Sequence, residues 1–255
     1  MRVHVVSDVH GRADALADAG TGADVLLCLG DLILFMDYED HGAGIMGGLF
    51  GPDAVGEFIR LRTARRFDEA RTFSRRLWAR LDGDPRAVIE REVRAQYSAL
   101  FAAFPDPTYL TFGNVDQPAL LREYLRPYTH LLDGAVVELG GLRFGFVGGG
   151  LQTPMNTPYE IPDDEYAAKV AAVGAVDVLC SHIPPDIPDL LYDTKAERHE
   201  RGSAALLELI ERTQPAYALF GHVHQPLLAE TRIGRTRCAN VGHFRARGLP
   251  FVLEV

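Results

Sequence analysis

The chain has 255 residues, 47% of them hydrophobic, with a formal net charge of −9 at pH 7. That length fits one large α/β domain, and the apolar content is enough for a substantial core. The negative field disfavours general binding of nucleic acid or anionic membranes, although a local metal charge would still admit a small phosphate ester. No run of about 18 apolar residues suggests a membrane span, and the short apolar N-terminus reads as a strand rather than a signal peptide. The scattered cysteines Cys28, Cys180 and Cys238 sit in apolar runs and read as buried free thiols, which suits a reducing, cytoplasmic setting.

In chain order, Arg2 to Ser7 reads as a strand, Arg12 to Ala19 as a helix, and Val25 to Leu29 as a second strand. From about 53 to 104 helical periodicity replaces the strands. Asp53 is positioned to cap a first helix, with Phe58, Leu61, Phe67, Ala70, Phe73, Leu77 and Leu81 along one face. Asp84-Pro85 starts a second helix, which Pro105 and Pro107 terminate. We read this segment as a two-helix insertion in a single domain spanning 1–255.

The body resumes with strands at Tyr109–Phe112, Ala135–Leu139 and Leu142–Val147, the last two joined by a Gly140-Gly141 turn. Further strands are read at Val176–Ser181, Tyr217–Phe220, Leu227–Thr231, Arg235–Ala239 and Phe251–Val255.

Five polar motifs each follow a strand: Asp8-Val9-His10-Gly11, Gly30-Asp31, Gly113-Asn114-Val115-Asp116, Ser181-His182 and Gly221-His222-Val223-His224. Aspartate, asparagine and histidine are hard or borderline ligands for divalent metals. Neighbouring strand tips converge at one sheet edge, and the strand period is expected to put Asp8 with His10, and His222 with His224, on a common side. Any one motif is common by chance. All five in order, supplying seven ligands, point to a metal centre.

This ordered set resembles the calcineurin-like metallophosphoesterase superfamily, over a span from Asp8 to His224. The resemblance implies a four-layer αββα sandwich with the helical insertion added. It also implies a first metal on Asp8, His10 and His224, a second on Asn114, His182 and His222, and Asp31 as the bridge. Two divalent ions about 3.5–4 Å apart would activate a bridging hydroxide for in-line attack on phosphorus. The donor types suit manganese, with iron or zinc as alternatives.

The family usually carries histidine where this chain has Val115. Valine can neither protonate a leaving oxygen nor stabilise the transition state. The expectation is therefore a phosphodiesterase, or action on esters with acidic leaving groups. A phosphomonoesterase acting on a nucleotide or phosphoprotein is the alternative, and a non-catalytic scaffold on the same fold is a third reading. Asp116 is either catalytic or a turn cap. His243, in Asn240-Val241-Gly242-His243, is the candidate to replace the missing histidine, ahead of His41. His4, His130 and His199 read as structural or exposed.

The expected partner is a small phosphoester. Arginines of the insertion, including Arg62, Arg65, Arg66, Arg76 and Arg80, read as a solvated face or as a lid that meets phosphate. The insertion's Trp78 and phenylalanines fit core or a contact between subunits, which leaves a homo-oligomer open. The segment from Gly148 to Pro162 is expected to wall the cleft. It lacks the Lys-Ser/Thr of a P-loop.

Overall fold

Runs of valine, leucine and phenylalanine between turn residues form the strands of this chain, whose computed structural model describes all 255 residues. The first elements are β1 (Arg2–Val6), α1 (Ala13–Asp18) and β2 (Val25–Cys28). Helices follow: α2 (Gly44–Phe50), α3 (Pro52–Thr63), α4 (Phe67–Trp78) and α5 (Pro85–Ala103). Next come β3 (Thr108–Leu110), α6 (Pro118–Leu121), β4 (Thr129–Leu131), β5 (Ala135–Leu139) and β6 (Leu142–Val147). The short β7 (Gly150–Leu151) and β8 (Glu160–Ile161) precede α7 (Asp163–Val173) and β9 (Val178–Ser181). After α8 (Pro188–Leu191), β10 (Tyr192–Asp193) and β11 (Arg198–His199) come α9 (Ala204–Thr213) and β12 (Tyr217–Phe220). The chain closes with β13 (Glu230–Ile233), β14 (Thr236–Asn240), α10 (Phe244–Arg247) and β15 (Phe251–Glu254).

Two large sheets result. One has the order β15-β1-β2-β3-β4, the other β13-β14-β12-β9-β6-β5. In each, four consecutive strands are parallel, and antiparallel strands occupy the edges β15, β13 and β5. Alternate side chains of both sheets meet in one buried layer. Val3, Val5, Val25 and Leu27 of the first pack with Phe144, Phe146, Val178, Cys180 and Leu219 of the second. Fully burying such side chains stabilises the fold by about 1.5–3 kcal/mol each.

The outer face of the second sheet, with Leu179, Ala218 and Phe220, is covered by Tyr166 and Val170 of α7 and Leu206, Leu209 and Ile210 of α9. On the first sheet, His4 points the other way, and its Nδ1 lies 2.7 Å from the Ala19 carbonyl at the end of α1. This is the packed-sheet α/β fold that the sequence motifs imply. The Gly140-Gly141 turn has φ of 58° and 80°, the double positive value of a tight hairpin, and joins β5 to β6 in register Leu139↔Leu142.

The chain divides into two compact units: Met1–Leu32 with Ala99–Val255, and Ile33–Ser98. The second unit is wholly helical and has its own core of Met46, Val55 and Leu77 with Phe50, Phe58 and Phe73 packed against it. Trp78 stands edge-on to Phe50 at 4.9 Å.

Two sequence expectations are corrected here. Residues 53–104 form three helices, because Arg65 turns left-handed at φ 57° and ends α3 before α4 begins. The apolar stripe is thereby split, and Phe67 is left 57% exposed. Asp53 is not the cap either. Gly51 occupies that position with Pro52 first in the helix, so Asp53 sits in the first turn, where its charge suits the helix dipole. Several of the unit's arginines are engaged locally: Arg60 with Glu57, Arg66 with Glu69 and Arg71 with Asp68. No helix of the structure is long and apolar enough to cross a membrane.

Candidate metal centre

Each of the five motifs leaves the tip of a parallel strand. β1 leads to Asp8 and His10, β2 to Asp31, β3 to Asn114, β9 to His182, and β12 to His222 and His224. The tips are adjacent because the strands are. The strand-alternation argument for Asp8 and His10 is corrected. β1 ends at Val6, and both residues lie beyond it with positive φ, 55° and 41°. Asp31 (53°) and His222 (69°) are left-handed as well. Such a conformation is unfavourable for non-glycine residues, and its concentration here marks a functional site.

Backbone bonds hold the loops in these conformations. Asp8 N–H donates to the Gly30 carbonyl, His10 N–H to that of Asp31, and Gly221 N–H to that of His182. His222 N–H donates to both Asp8 carboxylate oxygens at 3.2 and 3.0 Å. Val115 N–H donates to Asp31 Oδ1 at 3.1 Å. Gly113 must be glycine, since a β-carbon there would lie 1.9 Å from Asp31 Oδ1.

The structure brings all seven expected ligands together. His10 Nε2 is 3.2 Å from His224 Nε2 and 3.9 Å from Asp31 Oδ2. His224 Nε2 is 3.5 Å from Asp8 Oδ1. On the other side of Asp31, its Oδ1 lies 3.4 Å from His182 Nε2, which is 3.1 Å from Asn114 Oδ1. His182 and His222 stand edge to face at 5.1 Å. Two groups, Asp8-His10-Asp31 and Asp31-His182-His222, each have donor atoms within 4.8 Å of one another and share Asp31. A third, His10-His224-His243, has the same spread.

Electrostatics explains why the cluster suits cations. Burial alone would raise the Asp8 and Asp31 carboxyls. The facing imidazoles, His224 at Asp8 and His182 at Asp31, instead hold both below the usual range. Burial opposes charge on His182 too, but Asp31 wins and lifts its pKa to about 9. Burial and the charge of His182 depress His222. Burial and His224 depress His243 to about 3. Convergent carboxylate, amide and imidazole donors, several of them buried, fit divalent ions.

Behind the ligands stand supports. Asp116 is fully buried and accepts from Gly113 N–H at 2.9 Å and Leu32 N–H at 3.1 Å, so it ties the loop of Asp31 to the loop of Asn114. Burial and the charge of Asp31 raise it to about 7. Asn114 Nδ2 donates to Thr157 Oγ1 at 2.9 Å, and that hydroxyl donates to Glu160 Oε1 at 2.8 Å. The chain fixes the amide so that Oδ1 faces His182. Thr157 and Glu160 went unnamed in the sequence reading. A ligand asparagine requires a partner for its NH2, and the Gly148–Pro162 segment supplies it.

Among the remaining histidines, His130 stacks on Tyr109 at 4.6 Å and is exposed, as is His199. His41 belongs to the second unit, where it packs against Gly56. The three cysteines are free and buried, and burial raises each thiol pKa.

The calcineurin-like phosphoesterase family model matches residues 1–226, and the chain belongs to that family. It is accordingly a metal-dependent phosphoester hydrolase that uses divalent metal ions. Among solved structures, it is similar to a conserved uncharacterized protein from Streptococcus pneumoniae described as a predicted phosphoesterase. That similarity is at 13% identity and TM-score 0.33, over 94% of this chain and 71% of the other. It is also similar to GAP50, the anchor in the inner membrane complex of Plasmodium, at 12% identity and TM-score 0.42, over 95% and 71%. No curated protein matches the chain.

Proposed function

We propose that the chain is a phosphodiesterase-type hydrolase that works with two divalent cations, manganese first, with iron or zinc as alternatives. The carrying observation is the position of Asp31, whose Oδ2 faces His10 and whose Oδ1 faces His182. One carboxylate thus serves both halves of the cluster. Two bound cations would supply Lewis acidity at the phosphoryl oxygens and a water of lowered pKa.

The chain's own residues do the rest. Asp8, His10 and His224 would hold one cation, and Asn114, His182 and His222 the other, with left-handed loops fixing their directions in advance. Asp116 keeps the Asp31 and Asn114 loops in register through backbone N–H groups. The hydrocarbon side chain of Val115 has no proton to give a leaving group, and its one donor, the backbone N–H, is directed at Asp31. Without a side-chain donor, a leaving group that departs as a stable anion is favoured.

A small phosphoester fits this reading better than a polyanion, given the net charge of −9. Three buried free thiols suit a reducing, cytoplasmic compartment. The test compares turnover of bis-p-nitrophenyl phosphate with that of glycerol phosphate, using manganese-loaded protein. The diester is expected to be faster. Equal or faster hydrolysis of the alkyl monoester would favour a phosphomonoesterase instead.

A further inference from the structure

β14 ends at Asn240, and the next turn carries His243, the residue before α10, to the cluster. That turn is clamped on both sides. Asn240 Nδ2 donates to the carbonyls of Gly221 and Val223 at 3.3 and 2.9 Å, which joins it to the loop of His222 and His224. His243 pairs with Ser7 in an isolated parallel bridge, Phe244 N–H donates to the Ser7 carbonyl, and Arg245 N–H donates to that of Asp8. The backbone of His243 is therefore fixed to both loops that supply the first cation site.

His224 is the least enclosed ligand of that site. Its side chain is 38% exposed, against 10% for His10 and 0% for Asp8. Its Nε2 faces Asp8 and His10, and no hydrogen bond to protein holds its other ring nitrogen. His182 in the second site differs, since its Nδ1 lies 3.0 Å from the Leu29 carbonyl. A metal-ligating imidazole is generally oriented through its second nitrogen in that way. At His224 a ring face takes this part instead. His243 lies against it with 3.9 Å between centroids and 10° between planes, and meets His10 edge-on at 5.7 Å.

Stacked rings hold their nitrogen lone pairs in parallel planes, so those of His243 and His224 do not converge on one ion. What His243 offers is its face. A cation drawn to His224 makes that ring electron-poor, and an uncharged aromatic face beside it is then attractive. Burial and the charge of His224 keep His243 uncharged.

We propose that His243 is a positioning residue of the first cation site: its stacked ring holds the His224 imidazole in the plane that aims Nε2 toward Asp8 and His10. This inference rests on the two-cation reading above. It assigns the ring neither to metal ligation nor to replacing the histidine missing at position 115. The flat face is needed and the nitrogens are not, in keeping with an Nε2 that is buried without a hydrogen-bond partner.

The experiment titrates chelator-stripped, full-length protein with Mn²⁺ by calorimetry. It uses wild type, His243→Phe and His243→Leu, each melted by circular dichroism. Phenylalanine keeps a flat ring without a nitrogen, whereas leucine fills the space with neither. Wild type is expected to bind two manganese ions. His243→Phe should keep both sites within about threefold of wild type. His243→Leu should weaken one site by about tenfold or more, spare the other, and melt as the phenylalanine variant does. His243→Met takes its place if leucine is not tolerated. The ratio of glycerol phosphate to bis-p-nitrophenyl phosphate turnover should be the same in wild type and His243→Phe. Wild-type affinity at both sites in the leucine variant would show that the ring only fills space, and would overturn the inference. Equal weakening by phenylalanine and leucine would show that a nitrogen is required, and would overturn it too. Alkyl ester turnover lost selectively in His243→Phe would assign a proton donor, with the same consequence. A wild type that binds no manganese would sink the two-cation reading first, and this inference with it.

Discussion

Replacing Gly113 with alanine tests the geometry of the bridge more sharply than removing a ligand does. The new β-carbon would lie 1.9 Å from Asp31 Oδ1, 2.5 Å from the Asp31 nitrogen and 2.6 Å from its carboxyl carbon, where real contacts stay above 3.0 Å. Either the carboxylate or the Asn114 loop must therefore move by about 1 Å. A displacement of that size in a positioned catalytic group costs on the order of 100-fold in rate. Overpacking adds about 1–3 kcal/mol of destabilisation, so the fold should survive.

Gly48 is the control. It lies inside α2, and a β-carbon there meets nothing within 4 Å. Gly48→Ala should be neutral or slightly stabilising, as glycine costs about 0.5–1 kcal/mol against alanine in a helix. The assay is kcat on bis-p-nitrophenyl phosphate at saturating manganese, with bound metal counted and melting followed by circular dichroism. A Gly113→Ala protein that keeps its metals and turns over within threefold of wild type would refute the reasoning.

The pH dependence follows from His182. Its folded pKa is raised to about 9, above the ordinary 6.5. Protonation thus stabilises the metal-stripped fold fully below about pH 6.5, and that contribution fades as pH rises through 9. A cation needs the imidazole neutral, so binding at pH 7 should release at least one proton, the more so because Asp8 also raises the ligand His224, and apparent affinity should climb about tenfold or more per pH unit toward pH 9. Calorimetry in two buffers of different ionisation enthalpy checks this, and affinity that stays flat from pH 7 to 8.5 would contradict it. Thr157→Val removes the acceptor for Asn114 Nδ2. It should weaken one metal site by about 10- to 100-fold with little change in melting, as loss of a group that orients a ligand does, and unchanged titration curves would dismiss it. Val115→His should raise turnover of alkyl esters relative to p-nitrophenyl esters by about tenfold or more. An unchanged ratio would mean that no leaving-group donor is lacking there.

The sheets were readable where alternation and turns agree. Ala135–Leu139, Leu142–Val147 and Tyr217–Phe220 are strands with the expected bounds, and Gly140-Gly141 joins the first two. Other ends shifted by one to three residues, the most at the strand read from Leu227, which begins at Glu230. Ser7 and Leu29 carry strand-like sequence, but the polar residues after them turn left-handed to meet the cluster. Propensity does not register that demand, because it comes from packing between loops. The insertion's break at Arg65 was hidden for the same reason: the apolar spacing runs on through Phe67 although the helix does not.

Helices α7 and α9 went unread even though Tyr166, Val170 and Val173 recur at helical spacing, and Ser203 caps α9 by accepting from Leu206 N–H. The two-residue strands β7, β8, β10 and β11 leave no periodic signal at all. At the site, residue types and order alone were enough to nominate seven ligands. The support from Thr157, Glu160 and Asp116 depends on which donors each side chain reaches in space, which spacing does not encode.

The two-cation claim is most directly tested by anomalous diffraction from crystals soaked with manganese. Two peaks about 3.5–4 Å apart are expected, one on each side of the Asp31 carboxylate. Their first neighbours should include Asp8, His10 and His224 at one and Asn114, His182 and His222 at the other. A single peak, or none within reach of Asp31, would contradict the account.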